Sequence, residues 1–148
     1  MTRPEKAYNN FKSGYNCCQA ISVAYADKLG LDEKTAAMLS SGFGGGIGRL
    51  REVCGAVSGM VFVASAVKGY FDPMAGVEKK ETYALVQKLA KQFEKENGSI
   101  ICRELLNLST KNDDPTPSER NDSYYKKRPC AELVKIASEI LDRELFGD

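Results

Sequence analysis

The apolar positions of the chain recur at helical spacing, and no stretch alternates in the way that a half-buried strand does. The pattern predicts an opening helix from Pro4 to about Ser13, a second from Asn16 to Leu29 and a third from Asp32 to about Ser41. An apolar helix from about Cys54 to Tyr70 comes next. The first half of the chain is therefore expected to contain four helices.

The second half of the chain continues the helical pattern. A long amphipathic helix is predicted from about Val77 to Asn97, with an apolar face formed by Tyr83, Val86, Leu89, Ala90 and Phe93. Ser99 is the expected cap of a short helix, and the last helix is expected to run from Pro129 to about Leu145. Together these elements predict one all-α domain over residues 1–148, a compact bundle of about six to seven helices.

Five glycines fall within seven residues, from Gly42 to Gly48, just ahead of the central apolar helix. Each glycine would weaken a regular helix, so this run predicts a shaped loop whose backbone can approach a ligand closely. The run lacks the third glycine of a dinucleotide fingerprint and the Gly-Lys-Ser/Thr ending of a phosphate loop. Nucleotide binding is therefore not expected.

Four of the five cysteines occur where a predicted helix begins: Cys17, Cys54, Cys102 and Cys130. A helix N-terminus presents unpaired N–H groups and partial positive charge, which favour a thiolate and lower its pKa. If these four ends converge, they form a site for a metal or another redox group. The other reading is that cysteine simply packs here as a small hydrophobic residue. Cys18 is the expected spare, since it lies on or at the edge of the buried face of its helix.

The chain contains no histidine, which excludes Ser-His-Asp and Cys-His catalysis, histidine-ligated zinc enzymes and histidine-ligated haem. It has no Cys-x-x-Cys either, so zinc ribbons and thioredoxin-like dithiols are not indicated. No hydrolase or transferase signature remains.

The charge and hydropathy of the chain limit the partners and the compartment that can be expected for it. A net charge of +1 does not indicate the basic surface that nucleic-acid binding requires. The uncharged run Val53–Val67 is too short to cross a membrane. Five cysteines without an export signal predict a cytoplasmic protein with free, metal-bound or transiently paired thiols.

An iron–sulfur cluster held by four thiolates carries net negative charge and needs N–H donors and cations around it. The glycine loop and its neighbours are the expected donors, and the candidate cofactor contacts are Gly44, Gly45, Gly46, Gly48, Arg49 and Gly55. Arg51 and Arg103 lie beside cysteines in sequence and are expected to add positive charge.

Five features occur in an order that resembles a known family. They are Phe11-x-x-Gly14-Tyr15-Asn16-Cys17, Gly42-Phe43-Gly44-Gly45-Gly46-Ile47-Gly48-Arg49, Cys54-Gly55-Ala56-x-x-Gly59, Gly98-Ser99-Ile100-x-Cys102-Arg103-Glu104-Leu105, and Cys130 at the head of the last helix. The pattern is similar to the C_GCAxxG_C_C family of putative redox-active proteins. The resemblance implies a small helical protein with four defining cysteines, which here are Cys17, Cys54, Cys102 and Cys130. A more distant resemblance links the chain to the helical iron–sulfur part of split-Soret cytochromes, without their haem half.

Two classes of function stay open at this point. The first is an electron carrier or oxidoreductase whose four cysteines ligate an iron–sulfur centre, with two irons preferred, or cycle between dithiol and disulfide. The second is a non-enzymatic module that binds a partner and in which the cysteines hold zinc or merely pack. Separations of 37, 48 and 28 residues between the four cysteines require a site assembled by the folded core in either metal case. The expected partner is a redox protein or a small molecule, and the oligomeric state is open, a homodimer included.

The segment from Asn107 to Arg128 is longer than an ordinary connection and joins two of the four cysteine helices. It is expected to be a long loop that folds over the cysteine site as a lid or docking surface. In that hypothesis Tyr124 and Tyr125 provide apolar contact, and a basic run faces a partner: Lys126, Lys127 and Arg128. The alternative is a solvated connector.

Overall fold

Helices account for the regular structure of the chain, which confirms the all-α prediction. The computed structural model describes residues 1–108 and 114–147, and these contain nine α-helices and no β-strand. The helices are α1 (Arg3–Lys12), α2 (Cys17–Ala24), α3 (Ala26–Leu29), α4 (Glu33–Ser40), α5 (Gly55–Lys68), α6 (Gly76–Asn97), α7 (Cys102–Leu105), α8 (Asp122–Lys127) and α9 (Cys130–Leu141). No helix in the described ranges combines the length and the apolar character that a bilayer span requires.

Helix boundaries follow local signals in the sequence. Thr2 and Asn16 each form a reciprocal capping box at the start of α1 and α2, and Asp32 caps α4 through the backbone N–H of Thr35. Gly30 and Gly98 end their helices in the left-handed conformation, with φ of 70° and 91°. These ends were predictable because each cap involves residues only a few positions apart.

The core lies among α1, α2, α5 and α9, and α6 packs against α5 and α9. Its largest fully buried side chains include Phe11, Ile21, Tyr25, Met60, Leu89, Phe93, Ile140 and Leu141. A Cβ atom on Gly59 would lie 2.9 Å from the Cβ of Ile21, so glycine is what lets α5 approach α2 so closely. The bundle therefore forms one continuous hydrophobic core.

The helix predicted from Asn16 to Leu29 is two helices, because Tyr25 leaves the helical conformation with φ −112° and ψ 19°. Its side chain is fully buried and reaches the end of α9, where its hydroxyl contacts the Ser138 carbonyl at 3.1 Å and Asp142 Oδ1 at 2.6 Å. This tertiary anchor, which no local pattern reveals, accompanies the break.

Two further predictions about helices were wrong in detail. Tyr83 was expected on the buried face of α6, but it is 53 % exposed, and Thr82 is buried instead because its hydroxyl bonds to the Lys68 carbonyl at the end of α5. The last helix was expected to reach Leu145, whereas α9 ends at Leu141 and a π-helical turn covers Asp142–Phe146.

The segment from Asn107 to Arg128 was predicted to be a loop, but its described part contains α8, capped by Asn121. Residues 109–113 of this segment lie outside the described residues. Ser99 is not the cap of α7, because Ile101 holds that position. The Ser99 hydroxyl accepts from the Ile101 N–H at 2.9 Å and donates to Glu104 Oε1 at 2.6 Å, so it shapes the approach to the helix.

Candidate functional site

The four cysteines at predicted helix starts do stand at helix starts. Cys17, Cys102 and Cys130 are the first residues of α2, α7 and α9, and Cys54 is the N-cap residue of α5. All four side chains are buried and reduced. Helix N-termini therefore surround these thiols with backbone N–H groups.

A cavity of about 390 Å³ lies where these helices begin, and all four cysteines line it. Every pair of the four thiols interacts electrostatically. The residues expected to contact a cofactor line the same cavity: Gly44, Gly45, Gly46, Gly48, Arg49 and Gly55. The fold thus brings together at one place all of the cysteines and glycines that the sequence singled out.

Cys18 does not line this cavity. It is fully buried on the core side of α2, where its thiol interacts with Ser22, and burial raises its pKa to about 12. Successive residues of a helix point about 100° apart, so Cys17 faces the cavity while its neighbour faces the core. This placement agrees with the expectation that Cys18 is the spare cysteine.

A short antiparallel pairing holds Cys54 beside Cys102. The Cys54 N–H donates to the Ile100 carbonyl at 2.8 Å, and the Cys102 N–H donates to the Glu52 carbonyl at 2.6 Å. Val53 and Ile101 form the isolated bridge between these hydrogen bonds. Because each paired segment spans only a few residues, the sequence shows no strand alternation there and gives no signal for this contact.

The glycine loop follows a left-handed path. Five consecutive residues, Gly45 to Arg49, have φ between 54° and 73°, and Arg51 has φ 62°. Ile47 is β-branched and seldom takes this conformation, so the loop stores strain. A Cβ atom on Gly46 would lie 2.7 Å from the Cβ of Cys102, which makes glycine necessary there.

The backbone donors of this loop are only partly available to a ligand. The N–H groups of Gly48 and Arg49 donate to the carbonyls of Gly42 and Gly44, and the Arg51 N–H donates to the Gly45 carbonyl. These bonds close the loop on itself. The N–H groups of Gly48 and Arg49 are therefore engaged within the loop itself.

Arg51 carries positive charge into the cavity wall. Its side chain is only 5 % exposed, and its Nη1 donates to Cys102 Sγ at 3.6 Å. Its buried Nε has no hydrogen-bond partner among the described residues. Arg49 also lines the cavity, with Nη1 bonded to Ser118 Oγ at 3.2 Å. The expectation for Arg103 was wrong, because this side chain does not line the cavity.

Two cavity arginines escaped the sequence analysis. Arg120 lines the cavity wall and donates to the carbonyls of Phe11 and Tyr15 at 2.6 and 2.9 Å, which fastens residues 114–128 to the end of α1. Arg128 was expected to face a partner, but it lines the cavity and lies over the ring of Tyr124. The position of Arg128 two residues before Cys130 was the only sequence signal, and Arg120 had none.

Residues 114–128 form one wall of the cavity, contributing Pro115, Pro117, Ser118, Arg120, Tyr124 and Arg128. Tyr125 packs edge-on against Phe11 and donates from its hydroxyl to the Lys12 carbonyl at 3.3 Å. Of the basic run expected to face outward, Lys126 is exposed. The Lys127 side chain lies outside the described residues.

Burial, not the helix ends, dominates the ionisation of two of these thiols, Cys54 and Cys102. It raises the pKa of Cys54 to about 12, although the N–H groups of Ala56 and Val57 favour the thiolate. It also raises the pKa of Cys102, against the opposing effect of Arg51. At these two positions burial outweighs the expected effect of the helix end.

Cys17 and Cys130 behave as a pair. Their interaction raises the pKa of the Cys17 thiol and lowers that of Cys130. The positive charges of Arg128, Arg120 and Arg51 lower the pKa of Cys130 further. Cys130 is thus the cavity cysteine that ionises first.

The four thiols surround a space and do not converge on a single point. Within residues 1–108 and 114–147, no three cysteine or acidic side chains are close enough together to share one metal ion. A single zinc ion would need its four sulfur atoms at about 2.3 Å from one centre. The arrangement therefore suits a larger group or chemistry between the thiols themselves.

One comparison with known proteins identifies relatives. The family model described as putative redox-active protein (C_GCAxxG_C_C) matches residues 15–144, which covers most of the chain and all four cavity cysteines. Comparison with curated proteins and with solved structures gives no match in either case.

Proposed function

The chain belongs to the C_GCAxxG_C_C family of putative redox-active proteins, and from this premise we propose that its four cavity cysteines hold an iron–sulfur cluster, preferably with two irons, for electron transfer. The observation that carries the proposal is the selective placement of the cysteines. Cys17, Cys54, Cys102 and Cys130 line one cavity, while Cys18 is buried outside it.

The chemistry of the lining fits a negatively charged cluster. Four thiols are the standard ligand set for two-iron and four-iron clusters. Among the described residues, no aspartate or glutamate lines the cavity, and the unpaired Nε of Arg51 lies buried in its wall. A buried cation without a carboxylate partner is costly unless an anion is bound nearby.

Each group in the wall has a role toward such a cluster. Arg51 would hold the Cys102 thiolate through its Nη1, and the N–H groups of Ala56 and Val57 would hold that of Cys54. Leu105, Leu106, Leu133 and Tyr124 line the cavity and exclude water from the thiolates. A bound cluster supplies one-electron chemistry at a potential set by charge, hydrogen bonding and solvent exposure.

A redox protein or a small molecule would exchange electrons with this site. We place the protein in the cytoplasm, since five reduced cysteines suit a compartment that keeps thiols free. A structural zinc in a partner-binding module is less well supported, because the thiols do not gather around one point.

A second candidate function rests on the contact between Cys17 and Cys130. The Cys130 thiolate would attack a disulfide substrate and release one thiolate from it, leaving a mixed disulfide. Cys17 would then attack Cys130 in that mixed disulfide, lose its proton and release the second substrate thiolate. This exchange oxidises the pair to a Cys17–Cys130 disulfide and reduces the substrate to two thiols.

The decisive experiment is anaerobic purification followed by an absorption spectrum and iron, sulfide and zinc analysis of four proteins. The set is the native chain, Cys54→Ser, Cys102→Ser and, as the matched control, Cys18→Ala. We expect iron, sulfide and visible absorption in the native chain and in Cys18→Ala, and loss of all three in the two serine variants. Equal loss in Cys18→Ala would contradict the assignment of ligands.

The same proteins separate the second candidate from the first. A dithiol mechanism needs only Cys17 and Cys130, so it predicts little iron in any preparation. It also predicts that Cys54→Ser retains full disulfide-reducing activity toward a small aromatic disulfide. Zinc at one equivalent with no iron would favour the structural module instead.

A further inference from the structure

Three arginines lie close together on one side of the cavity. Arg51 and Arg128 are near enough to Arg49 to repel its charge, and all three line the cavity. No carboxylate lines the cavity within the described part of the chain. Like charges held together beside an enclosed space favour the binding of an anion there.

Arg51 gives the strongest sign that something is bound. Its guanidinium is nearly fully buried, and its Nη1 donates to the Cys102 thiol at 3.6 Å. Its Nε is left without a hydrogen-bond partner among the described residues. A guanidinium presents its donors in a rigid fork that matches two oxygen atoms of one anion.

One acidic residue that interacts with Arg49 is exposed. Asp114 interacts with Arg49, but it is exposed and also accepts from the backbone N–H of Thr116 at 2.9 Å. Asp114 does not line the cavity. Arg120 also lines the cavity, but it donates to the carbonyls of Phe11 and Tyr15, so we assign it to positioning the wall.

We propose that the arginine side of this cavity binds a small oxyanion, held chiefly by Arg49 and Arg51 and assisted by Arg128. The inference rests on the proposed redox function and names the substrate class on which the cysteines would act. The oxyanion must be small, because about 390 Å³ has to contain it together with the group that the thiols hold.

The competing explanation is that these arginines only balance the charge of the group on the cysteines. The two explanations differ in what the protein does without that group. An oxyanion site remains when the thiol ligands are removed, whereas a purely balancing role leaves no reason for saturable binding. Cys54→Ser supplies the protein without the cluster, and the native chain supplies the loaded protein.

The experiment is titration calorimetry of both proteins with phosphate, sulfate and acetate as separate probes. We expect saturable binding of at least one probe, with a Kd of about 1 mM or below. Arg49→Gln and Arg51→Gln should each weaken it by about tenfold or more, because each removes a charged hydrogen-bond donor. Comparing the binding of phosphate and sulfate with that of acetate shows whether the site prefers a tetrahedral oxyanion or a carboxylate.

Arg103→Gln is the matched control, since Arg103 is half-buried next to Cys102 but does not line the cavity. The oxyanion site is overturned if Arg49→Gln and Arg51→Gln bind as tightly as the Arg103→Gln control. It is also overturned if no probe binds at all. Circular dichroism verifies folding, and Arg128→Gln replaces any variant that fails to fold. Iron content and visible absorption of the arginine variants are measured separately. The cluster proposal can therefore be tested if the oxyanion site fails, and the oxyanion site can be tested if the cluster proposal fails.

Discussion

The helical bundle and the cavity at its end are built by opposite rules. In the bundle, α1, α2, α5 and α9 meet through apolar side chains, and the helix ends carry ordinary caps. At the cavity, five consecutive residues take left-handed conformations, and the buried Arg51 has an Nε without a hydrogen-bond partner among the described residues. Departures from local preference on this scale persist only where the surrounding structure enforces them, and they are typical of functional sites.

Adjacent cysteines show the same contrast at the smallest scale. Cys17 lines the cavity and interacts with Cys130, while Cys18 is buried away from the cavity and interacts with Ser22. Both are buried and both lie on α2. Only the direction in which each side chain points decides whether the thiol can take part in chemistry.

The largest effect on stability is expected in the bundle. Phe93→Ala removes a side chain with no exposed surface and should lower the free energy of unfolding by about 3–5 kcal/mol, since it leaves a cavity in the core. Phe71→Ala is the control: Phe71 is 98 % exposed, and its loss should change stability by no more than about 0.5 kcal/mol. Denaturant unfolding measures both, and similar losses would contradict the location of the core.

An intermediate effect is expected where the two regions meet. Asn16→Ala removes the cap of α2 and the hydrogen bond from Nδ2 to the Ser41 carbonyl, at a cost of about 1–2 kcal/mol. Asp32→Ala removes the cap of α4 and should cost about 1 kcal/mol. Only Asn16→Ala should also reduce the bound iron, because the Asn16 side chain lies against Gly44 and directly precedes Cys17. Equal iron content in the two variants would show that the cavity does not depend on this cap.

The smallest expected effect concerns thiol ionisation in the cofactor-free protein. The pKa of Cys130 is lowered by Cys17 and the nearby arginines, so its thiolate forms at a lower pH than the others. Burial raises the pKa of Cys54 to about 12, and that of Cys17 and Cys102 is also raised. Alkylation followed by mass spectrometry at each pH should therefore label Cys130 first, with a midpoint below the value of an ordinary cysteine thiol, about 8.5. A midpoint at or above that value for every cysteine would remove the basis for a reactive Cys130.

The sequence alone determined the helical class, most helix ends and the four cysteines at helix starts. Those features depend on residues within one or two helical turns, such as the pairing of Asn16 with Gln19 or the left-handed Gly30. Family motifs added the expectation that the four cysteines act together.

Only the tertiary structure decided what surrounds the cysteines. Three features depend on residues far apart in the chain. They are the pairing of Val53 with Ile101, the helix break at Tyr25, and the presence in the cavity wall of Arg120 and Arg128 but not Arg103. Such contacts form when the whole core packs, and no local propensity encodes them. The sequence therefore singled out the four cysteines as candidates, whereas the packing of the helices determined where they meet and which charges face them.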